Sequence, residues 1–168
     1  MNNSAEIEIR EFLKEDFPAV KQIYQMGIDT GIATFETMAP NWETWDKKFR
    51  SDLRLVALDK SEISGWIALS AVSARPVYSG VCEVSLYVHP KHSGRGIGRA
   101  LLKAIITESE RKNIWTLQAG IFPENIASIK LHKAEGFREV GFREKIGKRD
   151  GVWRDNIFLE RRSKIIGT

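Results

Sequence analysis

The chain has 168 residues, of which 42% are hydrophobic and 29% charged, so we expect one globular domain, residues 1–168, with a buried core. The net charge of +4 is spread along the chain, which indicates no nucleic-acid partner. The single cysteine, Cys82, excludes an internal disulfide, and no stretch approaches the roughly 20 apolar residues of a membrane span. Since the N-terminal residues also lack an apolar signal, we expect a cytoplasmic protein without a membrane partner.

The first half of the chain predicts one strand, two helices and a hairpin. Residues 7–12 alternate apolar and polar side chains, as a half-buried strand does. Residues 13–29 carry apolar side chains at helical spacing, with Asp16 and Pro18 as start signals, and residues 39–50 predict a short helix capped by Asn41. The apolar runs 53–59 and 63–74 are joined by a turn, which is typical of an antiparallel hairpin.

The second half of the chain alternates strands and helices. In chain order we expect a strand at 81–90, a helix at 98–112, a strand at 114–122, a helix at 123–137 stopped by Gly136, and two strands within 138–162 joined at Asp150-Gly151. This order predicts an α/β (α+β) layered domain with a mixed sheet and helices on its faces.

The segment VHPKHSGRGIGRALL, residues 88–102, ends a strand and opens a helix. It holds alternating glycines and arginines: Gly94, Arg95, Gly96, Gly98 and Arg99. Glycine permits positive φ and close backbone approach, and N–H groups at a helix start can converge on an anion such as phosphate. A plain tight turn between strand and helix explains the glycines equally well. A Rossmann nucleotide site is a further alternative, although its G-x-G-x-x-G pattern differs.

Two motifs resemble the GNAT (Gcn5-related N-acetyltransferase) superfamily. Its acyl-CoA motif, Q/R-x-x-G-x-G/A, corresponds to SGRGIG here, with Ser93 in place of the usual Gln or Arg. Its second signature corresponds to Asn125, Ser128 and His132, followed by Gly136-Phe137, where His132 replaces the usual Tyr. The resemblance covers nearly the whole chain. It implies a mixed, mostly antiparallel central sheet with helices on both faces, and an acetyl-CoA-dependent N-acetyltransferase.

The resemblance also implies how acetyl-CoA binds as co-substrate. The strand backbone would pair with the pantetheine amides, and the N–H groups of the glycine-rich turn would hold the pyrophosphate. The residues assigned to the co-substrate are Leu86, Tyr87, Val88, Gly94, Arg95, Gly96, Ile97, Gly98, Arg99 and Asn125. Asn125 can also act as a helix cap. No metal-ligand spacing is evident, so we expect no metal.

Within the superfamily the chain is most similar to the phosphinothricin/methionine sulfoximine N-acetyltransferases. The similarity lies in residues 34–37, 74–90, 121–137 and 150–160. It implies a homodimer that acetylates the α-amino group of a small amino-acid-like substrate. It further implies catalytic residues Glu83 and His132, and substrate-binding residues Phe35, Arg75, Tyr78 and Trp153.

The chemistry of these side chains is consistent with the implied roles. Glu83 lies on the polar face of an alternating strand, opposite Cys82, and a desolvated Glu with a raised pKa can take a proton from an amine. A structural ion pair is the alternative for Glu83. The guanidinium of Arg75 suits a carboxylate or phosphinate. His132 is either an acid for the departing thiolate or structural, and Phe35 lines either the pocket or the core.

Two other functions remain open at this point. The protein could be a GNAT enzyme acting on another amine, such as a polyamine, an aminoglycoside or a protein N-terminus. A polyamine would favour an acidic pocket, whereas Arg75 favours an anionic substrate. The protein could also be a non-catalytic acyl-CoA-binding module on the same fold.

Overall fold

A computed structural model describes residues 7–168, and residues 1–6 of the predicted domain lie outside the described residues. The strands are β1 (Glu8–Glu11), β2 (Arg54–Asp59), β3 (Glu62–Ala71), β4 (Val81–Val88), β5 (Thr116–Ile121), β6 (Arg138–Arg149) and β7 (Val152–Arg162). The helices are α1 (Phe17–Asp29), α2 (Trp42–Lys48), α3 (Ile97–Arg111) and α4 (Ile126–Ala134). Short 3-10 turns lie at Lys14–Asp16, Pro76–Tyr78 and Pro90–His92.

The seven strands of the described part form one sheet in the order β1-β2-β3-β4-β5-β7-β6. Neighbouring strands are antiparallel, except that β4 and β5 are parallel. The predicted mixed, mostly antiparallel sheet is therefore confirmed. The single parallel pair lies in the middle of the sheet, where a long connection through α3 brings β5 back beside β4.

Local signals explain most element ends. Asp150 and Gly151 have φ of 48° and 78°, which is the left-handed pair that a two-residue hairpin turn requires. Gly136 follows α4 with φ of 89°, as predicted for a helix stop. The Asn41 side chain accepts a hydrogen bond from the Thr44 N–H at 3.0 Å and caps α2. Asp16 does not cap α1, because its carboxylate binds the Leu13 N–H and the Arg10 guanidinium instead.

Helices cover both faces of the sheet, as predicted. On one face α3 packs its buried residues against the sheet in a cluster that includes Leu101, Leu102, Leu55 and Cys82. On the other face α1 and α2 bury an aromatic cluster around Trp45. Cys82 of the central strand β4 is buried on the α3 face, whereas its neighbour Glu83 points to the opposite face and is exposed.

No helix within residues 7–168 has the length and apolar content needed to cross a membrane.

Candidate active site

The parallel strands β4 and β5 separate after a short paired segment. Their register joins Val81–Glu83 to residues 116–118, and the remainder of each strand is not paired with the other. A cleft of about 310 Å³ opens where the strands diverge. Its walls come from α1, the α1–α2 loop, α2, β4, β5, α4 and the β6–β7 hairpin. The topology thus places a cavity in the middle of the sheet.

The separation leaves one edge of β4 open toward the cleft. His89 donates its backbone N–H to the Ser64 carbonyl on the β3 side at 2.8 Å. Successive residues of an antiparallel ladder alternate between the two neighbouring strands. Leu86 and Val88 therefore direct their backbone N–H and C=O groups toward the gap. An extended, amide-containing chain could pair with this edge as an extra strand does.

The glycine-rich turn presents unpaired donors at the start of α3. Gly94 and Gly96 have φ of 75° and 83°, and no atom lies within 4 Å of a Cβ built at either position. No described residue accepts a hydrogen bond from the backbone N–H groups of residues 94–99. These donors lie at the positive end of the helix dipole, which favours an anion.

The two arginines of the turn are already paired with carboxylates. Arg95 contacts the buried carboxylate of Asp59, which His92 also approaches through Nδ1 at 2.9 Å. The Nε atom of Arg99 lies 2.5 Å from a carboxylate oxygen of Glu135. These carboxylates offset part of the positive charge of the two arginines, whereas the backbone N–H groups of residues 94–99 have no acceptor among the described residues.

Glu83 projects from β4 into the cleft, as the alternation of the strand predicted. Its carboxylate is open to the cleft, yet the surrounding walls displace part of its water and raise its pKa. The charges of Lys48 and Arg143 oppose this rise. No ion pair among the described residues involves Glu83, so the alternative of a structural ion pair finds no partner. A carboxylate in this state is a suitable proton acceptor.

His132 lies on α4 and reaches the same cleft, although it is only 3% exposed. Its Nδ1 lies 2.8 Å from the Ser128 carbonyl oxygen, which fixes the proton of the neutral ring on Nδ1. Burial lowers its pKa, and the hydrogen bond to Ser128 only partly opposes this. The ring is therefore neutral near pH 7, and its Nε2 accepts hydrogen bonds rather than donating them.

The α1–α2 loop closes one end of the cleft through Phe35. The ring of Phe35 packs edge-on against Phe122 with centroids 4.7 Å apart. A Cβ at Gly147 would lie 2.8 Å from the Phe35 ring, so the hairpin backbone passes directly beside it. Arg149 donates to the Thr34 carbonyl at 2.9 Å and thereby attaches the loop to the hairpin.

The structure does not bring every predicted residue to this cleft. Phe35, Glu83, Leu86, Tyr87, Asn125 and His132 line it, whereas Val88 and residues 94–99 of the glycine-rich turn lie outside its lining. Arg75, Tyr78 and Trp153 do not: the guanidinium of Arg75 lies 5.3 Å from the Tyr78 ring on an exposed turn, and Trp153 is 54% exposed on the β6–β7 hairpin.

Several lining residues were not predicted, and Arg143 and Asn156 are the most informative of them. Arg143 lies on β6 and Asn156 on β7. Asn156 is 8% exposed, and its side-chain carbonyl oxygen has no described hydrogen-bond partner. The sequence offered one signal for Asn156: it is a polar residue at the start of the run NIFL, and a polar side chain is unusual in a strand that is buried in a sheet.

The cleft holds a carboxylate with a raised pKa, and the strand that carries it has an open edge and leads through the glycine-rich turn into a helix start with free donors. This combination is that of an acyltransferase of the kind implied by the sequence. The model of the Acetyltransferase (GNAT) family matches residues 7–137, and the chain belongs to this family. The resemblance drawn from the sequence is therefore confirmed, and the protein is an acetyltransferase.

Known relatives are similar over nearly the full chain. A phosphinothricin N-acetyltransferase of Streptomyces coelicolor is 30% identical over 169 residues, which cover 96% of this chain and 99% of that protein. An L-methionine sulfoximine/L-methionine sulfone acetyltransferase of Pseudomonas aeruginosa is 30% identical over 158 residues, covering 90% and 92%. The crystal structure of a GNAT phosphinothricin acetyltransferase from Sinorhizobium meliloti in complex with AcCoA superposes with a TM-score of 0.83 at 26% identity, covering 96% and 95%.

Proposed function

We propose that the protein transfers an acetyl group from acetyl-CoA directly to the α-amino group of a small amino-acid-like substrate. Phosphinothricin, methionine sulfoximine and methionine sulfone represent this substrate type, and all three are named in relatives of the chain. The observation that carries the proposal is Glu83, a carboxylate with a raised pKa and no described ion-pair partner, in the cleft where β4 and β5 separate.

The residues on the donor side fit acetyl-CoA, whose thioester supplies an activated acetyl group. The free N–H groups of residues 94–99 would hold the pyrophosphate, with no Cβ at Gly94 or Gly96 to obstruct it. The open edge at Leu86 and Val88 would pair with the pantetheine amides. Asn125 lies on the same cleft and caps α4 by accepting from the Ser128 N–H at 3.3 Å, so it can serve both roles.

Glu83 would act as the general base. An amine attacks an acyl carbon only as its neutral form, so a proton must leave the ammonium group. The N–C bond then forms while the C–S bond of the thioester breaks, and CoA departs as a thiolate. The raised pKa makes the ionised carboxylate of Glu83 a stronger proton acceptor than an ordinary glutamate. Because its ring is neutral and its Nε2 is an acceptor, His132 would orient a neighbouring group and would not protonate the departing thiolate, the acid role implied by the family resemblance. Phe35 would supply an apolar wall for the side chain of the substrate.

A homodimer forms part of the proposal. The β6–β7 hairpin exposes four large apolar side chains, Phe142, Ile146, Val152 and Trp153, each at least half exposed. Large contiguous apolar patches mark interaction surfaces, and a second copy that covers these side chains would account for their exposure. Arg75, Tyr78 and Trp153, which lie outside the cleft of their own chain, would then act across the dimer interface. Sedimentation velocity measures the mass in solution. A monomer at micromolar concentration would refute the dimer.

The cytoplasmic location stays a prediction of the sequence.

The test is a thiol-release assay with acetyl-CoA and a panel of acceptors. The panel contains L-methionine sulfone, L-methionine sulfoximine, phosphinothricin, spermidine, an aminoglycoside and a peptide with a free N-terminus. We expect kcat/KM to be highest for one of the three amino-acid-like acceptors. Faster turnover of spermidine, the aminoglycoside or the peptide would favour the alternative acceptors. Thermal stabilisation by acetyl-CoA with no turnover across the panel would favour a binding module.

The role of Glu83 has its own control. Glu83→Gln should reduce kcat by about 100-fold or more, the usual contribution of a general base, while the Kd for acetyl-CoA stays unchanged. Glu62→Gln, on the exposed start of β3, removes the same charge away from the cleft and should leave kcat unchanged. A Glu83→Gln enzyme with near-native kcat would exclude Glu83 as the base.

A further inference from the structure

Arg143 and Asn156 form a cross-strand pair that faces the cleft. They are direct partners in the register of β6 and β7, and both line the cavity. Directly opposite residues of an antiparallel pair have Cα atoms about 4.5–5.5 Å apart and place their side chains on the same face of the sheet. A guanidinium and an amide are therefore presented side by side to any molecule that enters this part of the cleft.

Asn156 carries an unsatisfied polar atom in a buried place. The residue is 8% exposed, and its Oδ1 has no hydrogen-bond donor among the described residues. A buried carbonyl oxygen without a donor destabilises a fold, and nearly all such atoms are satisfied in native proteins. An atom of this kind on the wall of a cleft indicates that a donor from a bound molecule completes it.

Gly120 on β5 makes room for this amide. A Cβ at Gly120 would lie 2.4 Å from Nδ2 of Asn156, so only glycine allows the amide to lie across the strand at this point. Gly120 itself lines the cleft, two residues beyond the last β4–β5 pair, Glu83 with Gln118. Gly120 pairs with Phe158 of β7, two residues from Asn156, so the registers place the Asn156 amide on the same sheet face as Glu83.

Arg143 offers free donors beside this amide. Its guanidinium stacks on the Phe158 ring at 4.1 Å, which holds the planar group by one face and leaves its edge available. No ion pair among the described residues involves Arg143, although its charge acts on Glu83. A guanidinium with a free edge binds a carboxylate in a bidentate manner.

We propose that Asn156 and Arg143 together recognise the α-amino acid group of the acceptor. Oδ1 of Asn156 accepts a hydrogen bond from the amine, while Glu83 accepts the proton that the amine must lose. The guanidinium of Arg143 binds the α-carboxylate next to that amine. The pair therefore selects amino acids over simple amines. This inference rests on the proposed function and assigns to Arg143 the carboxylate-binding role that the sequence predicted for Arg75.

The first test replaces Asn156 with leucine, which has a similar branched shape and no polar atoms. Asn156→Leu should raise the KM for L-methionine sulfone by about 10- to 100-fold, the range for a hydrogen bond to a charged group. The Kd for acetyl-CoA should stay within about twofold of the wild-type value. The thermal unfolding midpoint should not fall, because an unsatisfied buried oxygen has been removed. Asn156→Asp restores an acceptor oxygen and should recover a large part of the lost affinity.

The second test compares two acceptors that differ only in the α-carboxylate: L-methionine sulfone and its decarboxylated counterpart, methylsulfonylpropylamine. Arg143→Met should lower the ratio of their kcat/KM values by about 10- to 100-fold by weakening only the amino acid. Arg138→Met removes an exposed arginine of the same strand that pairs with Glu160 at 2.5 Å, and should leave the ratio unchanged. Arg75→Met tests whether Arg75 binds the α-carboxylate instead, in which case this variant and not Arg143→Met would lower the ratio.

The outcomes separate this inference from the proposed function. If wild type turns over no amino-acid-like acceptor, the proposed function fails. If wild type is active but Asn156→Leu and Arg143→Met leave the acceptor KM and the ratio unchanged, only the recognition pair is refuted. A ratio that falls with Arg75→Met and not with Arg143→Met would also overturn it. A lower unfolding midpoint for Asn156→Leu, with acceptor and acetyl-CoA affinities reduced alike, would assign Asn156 a structural role.

Discussion

Gly96 allows the anion-binding role of the glycine-rich turn to be tested apart from its backbone strain. The residue has φ of 83°, and no atom lies within 4 Å of a Cβ built there. Gly96→Ala therefore causes no clash within the protein. It should cost about 1–2 kcal/mol of unfolding free energy, because alanine disfavours the left-handed conformation. For a chain of this length, that lowers the thermal unfolding midpoint by about 2–4 °C per kcal/mol.

In the proposed binding mode, this Cβ would compete with the pyrophosphate of acetyl-CoA for the open space beside the free N–H groups. We therefore expect the Kd for acetyl-CoA, measured by isothermal titration calorimetry, to rise at least about tenfold, or ~1.4 kcal/mol. Gly151→Ala is the matched control, because Gly151 has φ of 78°, equally open surroundings and a place in the β6–β7 turn. It should lose similar stability and keep the wild-type Kd. Equal Kd values for the two variants would refute pyrophosphate binding at this turn.

Three further predictions concern the site and the fold. Glu83 accepts a proton only when it is ionised, so kcat/KM should rise with pH through an apparent pKa above the ordinary value near 4.5. Glu83→Gln should lack this dependence. A rise of the wild-type kcat/KM at the ordinary value would contradict the raised pKa of Glu83. The lowered pKa of His132 means that the unfolded chain binds more protons below pH 6.5, so stability should fall as pH falls through that value. Urea denaturation at about pH 7.5 and 5.5 should show a smaller loss for His132→Gln than for wild type, and equal losses would exclude His132 as the source. Asn41→Ala should lower the unfolding free energy by about 1 kcal/mol by removing the α2 cap, and an unchanged urea midpoint would contradict this.

The sequence located site residues within one contiguous segment better than those that long-range contacts bring together. Glu83 and Leu86 lie on the alternating strand 81–88, and both line the cleft, as the strand pattern and the family resemblance implied. Arg143 and Asn156 come from β6 and β7, which are distant from β4 in sequence. Arg143 pairs with Asn156, but the register of β6 with β7 shifts between Arg143 and Gly147. No local sequence pattern shows this shift, so the pair could not be predicted from the sequence.

The fold shows the same difference between local and long-range information. Asp150-Gly151 indicated its hairpin directly, whereas the β2–β3 hairpin makes a turn with Lys60 and Ser61 at φ of 50° and 69°, residues that carry no turn signal of comparable strength. That hairpin was predicted from its flanking apolar strands instead. The pairing of Arg95 with Asp59 joins this turn to the glycine-rich turn, and only the folded chain reveals that contact.

The pairing of both arginines in the glycine-rich turn changes how acetyl-CoA binding should be understood. Arg95 and Arg99 face the carboxylates of Asp59 and Glu135, which offset part of their charge. In the proposed binding mode, the pyrophosphate is therefore held largely by backbone N–H groups, which no side-chain substitution removes. The glycines, which allow the backbone to adopt this shape, are therefore the residues whose replacement should weaken acetyl-CoA binding most.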